Sequence, residues 1–390
     1  MPHTGILESF FIIFAGAAVL ATAALYTRQP MLVAYILMGA VLGPFGMSIV
    51  DDPALLSEIA EFGIIFLLFL VGLDLQPSKL RNMVGESLFT AFGTTVVFFA
   101  IGFGVMIAFG FTAVEAAVTG IAASFSSTIL GIKLLPTTAL HHRHIGEAVV
   151  SLLLIQDLLA ILAILLLNGL GVDRETLLLS LASIFVGLPA VAGIAYVGVR
   201  FGVLPLLGKF DAFHEYIFLL AIGWCSAIAS LAAMFGLSLE IGAFIAGVSL
   251  ATSPISQYIA ESLRPLRDFF LVLFFFSVGA GLDISLMQTV WLPAIVLAGL
   301  LIGLKPLAFA VLLEKQGEDK KVAWEVGYRL GQASEFSLLL SYIAIANALI
   351  SDEAAMVVQF ATVLTLVLSS YFVIFRYPSP IAPNPQLRRD

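Results

Sequence analysis

Apolar stretches long enough to cross a bilayer succeed one another along nearly the whole chain, parted by short segments of Pro, Gly and charge. About thirteen such windows stand out, near residues 5–26, 31–50, 55–73, 87–110, 113–134, 146–168, 176–199, 213–234, 239–252, 267–283, 288–313, 322–348 and 354–375. Several are short for a span or carry Gly and Pro, which predicts broken or re-entrant helices. The fold expected is an all-α polytopic membrane protein. No Lys or Arg precedes residue 5, so 5–26 is read as the first span and not as a cleavable leader.

The basic residues orient these spans. With the N-terminus outside, fifteen Lys and Arg fall in inside loops or tails: Arg28, Lys79, Arg81, Lys133, Arg143, Arg200, Lys209, Arg264, Arg267, Lys315, Lys320, Lys321, Arg376, Arg388 and Arg389. Only Arg174 falls outside, and Lys305 and Arg329 lie within spans. So strong a bias predicts a cytoplasmic C-terminus.

Distant stretches also repeat. "GAVLG" at 39–43 resembles "GAFIAG" at 242–247, and "FLLFLVGLDLQ" at 66–76 resembles "LFFFSVGAGLDIS" at 273–285. Both offsets are close to 205 residues, or seven spans, and an odd number inverts the second copy. Inverted repeats build many secondary transporters, whose sites lie where corresponding helices are interrupted. Here Ser124, Ser126, Ser127 and Thr128 interrupt one span. Residue 126 plus 205 reaches Gly331, beside Gln332, Ser334 and Glu335 in a second interruption. The competing explanation is serine bonding back to the preceding turn of an intact helix.

Composition sharpens the class. The chain is 61% hydrophobic and 11% charged, whereas soluble domains carry about a quarter charged residues. The net charge of −8 says little, because location outweighs the sum. The single cysteine, Cys225, excludes an intramolecular disulfide and reads as a small core residue. No phosphate loop, nucleophile elbow or dinucleotide fingerprint is present, so no enzyme, cofactor or nucleic-acid partner is expected. His141, His142 and His144 cluster beside Arg143 and read as a solvated loop or a pH sensor.

Four ionisable residues lie well inside apolar windows: Asp157, Lys305, Arg329 and Glu335. A carboxylate at mid-membrane costs roughly 2.5–3.5 kcal/mol on insertion scales, so Asp157 calls for a function. Desolvation favours its neutral form, which lets one group hold either a proton or a cation such as K+ or Na+. Gln156 and the Ser126–Thr128 break could add oxygen ligands. The alternative is an Asp157 neutralised permanently by Lys305. Lys305 could instead stabilise the negative ends of broken helices. Arg329 and Glu335 could pair with each other as core charge balance.

In order, "AEFGIIFLLFLVGLDLQPSKL", "SFSSTIL", "IQDLLAI", "LSLEIGAFIAGVSLA", "FFFSVGAGLDISL" and "LGQASEFSLLL" resemble the monovalent cation:proton antiporter-2 family, within it the Kef-type potassium/proton antiporters. The resemblance implies a sodium/proton antiporter-like fold with two crossed, broken helices, split into a dimerisation domain and a mobile core that moves as an elevator. It implies a homodimer in the lipid of an inner membrane. Asp157 stands for the family's ion-binding aspartate, and Gln156 stands where electrogenic members carry a second carboxylate. Lys305 corresponds to the lysine that pairs with that missing carboxylate. One charged site implies electroneutral exchange. The domains expected are an antiporter domain over 1–376 and a short tail over 377–390. The first comprises repeat one near 5–168, a linker helix near 176–199 and repeat two near 213–375. No nucleotide- and glutathione-sensing domain follows residue 376 in this sequence, so with 390 residues as the whole protein gating by such a domain is either absent or supplied by a separate cytoplasmic subunit. The alternatives are sodium/proton exchange, a gated cation channel and a sensor that no longer transports.

Overall fold

The computed structural model describes residues 6–388, apart from 28, 30, 51–52, 75–76, 137–143, 171–185, 211–213, 252, 254–255, 381, 383 and 385. His141 and His142 therefore lie outside the described residues.

Sixteen α-helices make up the described chain: α1 (Ile6–Tyr26), α2 (Met31–Leu42), α3 (Pro53–Asp74), α4 (Pro77–Ala108), α5 (Ala113–Ala123), α6 (Thr128–Lys133), α7 (His144–Leu170), α8 (Leu188–Gly198), α9 (Leu204–Phe210), α10 (His214–Met234), α11 (Leu239–Ala251), α12 (Ser256–Ala280), α13 (Ile284–Lys315), α14 (Lys320–Arg329), α15 (Glu335–Ala346) and α16 (Asp352–Arg376). A π-helical turn, Val199–Val203, joins α8 to α9 without a break. By length and composition, seven of these runs can cross a membrane, and five shorter apolar helices accompany them. Each of the thirteen windows contains a helix.

Several boundaries differ from the sequence windows: α4 begins at Pro77 and α12 at Ser256, well before residues 87 and 267, so Arg264 and Arg267, read as loop residues, lie within a helix. The window at 113–134 is two helices, α5 and α6, and that at 322–348 is α14 and α15. The linker helix, expected at 176–199, is described from Leu188 and runs on to Phe210. Arg200 had marked a loop, but it stays in the helix with its guanidinium donating to the Tyr196 hydroxyl at 3.0 Å. Long basic side chains can reach polar surroundings from within a helix, so they mark span ends only loosely.

The repeat is visible as element lengths. α4 and α13 both have 32 residues, and they begin 207 positions apart, at Pro77 and Ile284. The two halves interlock, with α2 lying against α12 and α3 against α11. The approach is that of bare backbones. A Cβ at Gly279 would meet the Ile36 carbonyl oxygen at 1.9 Å, and one at Gly247 would meet that of Phe69 at 2.0 Å. Without water to drive helices together, such small-residue contacts supply the packing.

The apolar core is divided. One cluster joins α1–α3 to α8–α12, with Phe66, Phe69 and Phe276 among its buried residues. A second joins α4–α7 to α13, α15 and α16 and covers the inner faces of α2, α3 and α12. A third packs α4, α7, α13 and α14 around Phe98 and Phe309. The two broken helices belong to the α4–α7 and α13–α16 group, where their interruptions meet.

Candidate ion-binding site

Both interruptions are capped as separate helices. Ser127 is the N-cap of α6, its side chain accepting from the Leu130 N–H. Ser334 is the N-cap of α15, where it forms a capping box with Ser337. N-cap hydroxyls satisfy backbone donors that a new helix leaves open. Ser124 does bond back to the Gly120 carbonyl at 2.8 Å, yet the helix ends there. The back-bonding weighed as an alternative is thus present at Ser124, but at the end of a broken helix and not within an intact one.

The two breaks cross in contact. Ser126 Oγ donates to the Leu330 carbonyl at 2.8 Å, across 204 residues of sequence. Gln332 Nε2 donates to the Arg329 carbonyl at 3.0 Å and, more weakly, to that of Ser127 at 3.5 Å. Gln332 Oε1 accepts from Ser369 Oγ at 3.0 Å, and the Ala333 N–H donates to Thr365 Oγ1 at 2.9 Å. Ser337 Oγ ties α15 to the Ala122 carbonyl at 2.6 Å. Ser337, Thr365 and Ser369 escaped the sequence reading, because nothing in an apolar window shows which hydroxyl will face an unwound backbone.

Gln156 helps hold this crossing. Its Oε1 accepts the Ser126 N–H at 3.1 Å, and its Nε2 lies 3.5 Å from the Ser124 carbonyl. The sequence had offered that oxygen to a cation. One of its two lone pairs is already engaged by the backbone.

Lys305 is fully buried, at 0% exposed. Its ammonium donates to the carbonyls of Phe125 at 2.6 Å and Gln332 at 3.1 Å, touches Ser126 Oγ at 3.5 Å and lies 4.8 Å from the Phe98 ring centroid. α5 and α14 end at these breaks, each presenting roughly −0.5 of an elementary charge. One ammonium offsets both. Of the two roles weighed for Lys305, the structure contains the one at the helix ends.

The opposite helix ends meet a carboxylate. α6 and α15 begin at the breaks, and N-termini carry the corresponding positive partial charge. Glu335, in the first turn of α15, accepts from Thr128 Oγ1 in the first turn of α6 at 2.5 Å. Glu335 and Arg329 do not pair. Arg329 instead bonds Glu325, one helical turn earlier, at 2.7 Å through Nη2 and 3.1 Å through Nε. The break swings residues 330–334 out of helical register, so spacing across it does not place side chains together. Glu325, four residues before Arg329, was the legible partner by ordinary helix geometry. Arg329 also donates to the carbonyls of Leu134 and Pro378 at 2.9 and 2.8 Å, fastening the end of α6 and the start of the tail.

Asp157 sits midway along α7, 6% exposed. It lines a partly enclosed cavity of about 220 Å³ together with Thr128 and Glu335. Leu67, Leu70 and Val71 of α3 and Arg267 of α12 form the facing wall. The cavity thus lies between the two helix groups, with hard oxygen donors on one side and mostly apolar surface on the other. Such donors suit a small cation and a proton, and a wall drawn from a separate helix group suits access that depends on group position.

Comparison with known proteins agrees with this arrangement. Residues 10–375 match the model of the sodium/hydrogen exchanger transmembrane family. The K(+) efflux antiporter 4 of Arabidopsis thaliana is 31% identical over 352 residues, covering 87% of this chain. The chain spans 58% of that antiporter's length. The iron transporter MagA of Paramagnetospirillum magneticum is 28% identical over 356 residues, covering 89% of this chain and 80% of its own. Among solved structures, the sodium proton antiporter MjNhaP1 of Methanocaldococcus jannaschii superposes with a TM-score of 0.65 at 18% identity, covering 93% of this chain and 96% of that one. The chain belongs to the sodium/hydrogen exchanger family, whose model it matches over nearly its whole length, and is a multi-pass membrane protein.

Proposed function

We propose that this protein is an antiporter that exchanges potassium for protons, one for one, at Asp157. The observation carrying the reading is the placement of Asp157: buried at mid-span, on the wall of a cavity between two helix groups. A proton and a cation displace each other there, and movement of one group past the other exposes the site to each side in turn. Lys305 and Glu335 serve the crossed helix ends, which leaves Asp157 as the exchanging carboxylate and favours electroneutral turnover. Support for potassium comes from the Gln156–Asp157 pair and from likeness to a potassium efflux antiporter.

The α4–α7 and α13–α16 group is assigned as the moving core, and α1–α3 with α8–α12 as the scaffold of a homodimer. The bias of Lys and Arg along the chain supports a C-terminus in the cytoplasm.

Sodium/proton exchange is the second reading, favoured by Glu335 sharing the cavity with Asp157. Proteoliposomes with an internal pH dye separate the two. Potassium, sodium, lithium and rubidium are added in turn, with the membrane potential clamped and unclamped. The proposal expects proton movement strongest with potassium and indifferent to the clamp. A sodium-first ranking selects the second reading, and cation flux without proton movement means a channel.

A further inference from the structure

A second cavity, of about 860 Å³, opens between the start of α14 and the last turn of α16 and shares no lining residue with the Asp157 cavity. Its wall carries three cations, Lys320, Lys321 and Arg376. It contains one carboxylate, Glu325, which the two-point bond to Arg329 already engages. Among the described residues, no ion pair joins any of the three cations to a carboxylate. The remaining wall is aromatic. Trp324 and Tyr328 have ring centroids 5.9 Å apart, Tyr328 and Tyr377 5.8 Å, and the Arg376 guanidinium lies 5.9 Å from the Tyr328 centroid. The cavity is therefore net positive, with a ring-lined floor.

The start of α14 does not itself create this site. Asp319 caps it, accepting the Lys321 N–H at 2.8 Å, so an anion would be held by the three side chains. Their chemistry selects a phosphate ester, whose oxygens accept from several cationic donors at once. The height of the site selects its source. Arg376 ends a 25-residue apolar helix, where aromatic and basic side chains mark the membrane–water boundary. We propose that this cavity binds the phosphate of an anionic phospholipid headgroup.

The site is mechanically joined to the crossing. Tyr377 forms part of its wall, and the adjoining Pro378 carbonyl accepts from Arg329, which also holds the Leu134 carbonyl at the end of α6. α14, which carries five of the cavity's residues, ends at the second helix break. A headgroup bound here fixes α14 and the tail together on the group that carries Asp157, and so tunes the exchange rate without touching the ion.

The test measures retention of short-chain phosphatidylglycerol by the purified full chain in detergent, by native mass spectrometry and by titration. Lys320→Gln, Lys321→Gln and Arg376→Gln are combined in one variant, and Arg200→Gln with Lys209→Gln serve as the control. The combined variant is expected to lose about tenfold in affinity and the control less than about twofold, since diffuse attraction scales with charge count but a site does not. Inorganic phosphate and adenosine monophosphate are added as competitors. Failure of both to compete supports the lipid source. Displacement by either at micromolar concentration keeps the phosphate site but overturns the lipid as its occupant. Equal losses in both variants, or none in the combined variant, overturn the site.

Discussion

Lys305 donates to the carbonyl of Phe125 at 2.6 Å, joining residues 180 positions apart at the point where the two broken helices cross. Several side chains at this crossing answer backbone groups released by unwinding. Lys305 takes carbonyls, Gln156 takes the Ser126 N–H, and Ser127 and Ser334 cap the new helices. Unwound backbone persists at membrane depth only when it is satisfied in this way.

Lys305→Met removes the donor shared by two helix ends. Hydrogen bonds to charged groups contribute about 1.5–3 kcal/mol each, so thermal unfolding in detergent should show a loss of at least that order. The pH profile of any residual exchange should stay where it was, because Lys305 serves the helix ends. A profile displaced by a full unit would make Lys305 a partner of the exchanging carboxylate.

Gln156→Leu leaves the buried Ser126 N–H without its acceptor, at a cost of about 1–3 kcal/mol. Gln156→Glu keeps that acceptor but faces the Ser124 carbonyl with a second one. Thermal-shift measurements should therefore rank wild type above Gln156→Glu, and Gln156→Glu above Gln156→Leu. The reverse order for the two variants would mean that the crossing does not depend on this bond.

Arg329 and Glu325 are unequal partners. Breaking a buried pair costs roughly 3–5 kcal/mol. Arg329→Met also strips donors from the Leu134 and Pro378 carbonyls, so it should destabilise more than Glu325→Gln. Chemical denaturation of the two variants in matched detergent checks the ranking, and equal losses would assign the whole effect to the ion pair.

Glu115 links two helix starts at the other end of the molecule. One oxygen accepts the Thr112 N–H and hydroxyl, at 2.9 and 2.8 Å. The other accepts the Ser351 N–H and hydroxyl, at 3.1 and 2.5 Å. Glu115→Gln has a single acceptor oxygen for these donors. Faster hydrogen exchange is expected at 112–118 and at 351–356 together, and a change confined to one segment would show that the link is not shared.

Much of this was written in the sequence, but unevenly. Ser126 and Gly331 announced both breaks, since hydroxyls and glycine in an apolar window are conspicuous and the repeat fixed their spacing. The partners of Lys305 were not legible as residues, because backbone carbonyls have no letter in a sequence. Glu325 was legible as a helical neighbour of Arg329, whereas Glu335 drew attention by being deeper in the window. The Glu335–Thr128 contact depends on two helix starts meeting across 207 residues, which only the folded crossing reveals.

The account turns on proton and cation competing for Asp157. Its most direct test is the apparent cation KM of the reconstituted wild-type protein as a function of pH, with Asp157→Asn run alongside. Competition predicts that KM rises by about tenfold for each pH unit below the pKa of the site, with the maximal rate little changed, and that the variant does not exchange. A KM that stays constant across that range, or an Asp157→Asn variant that still exchanges, would contradict it.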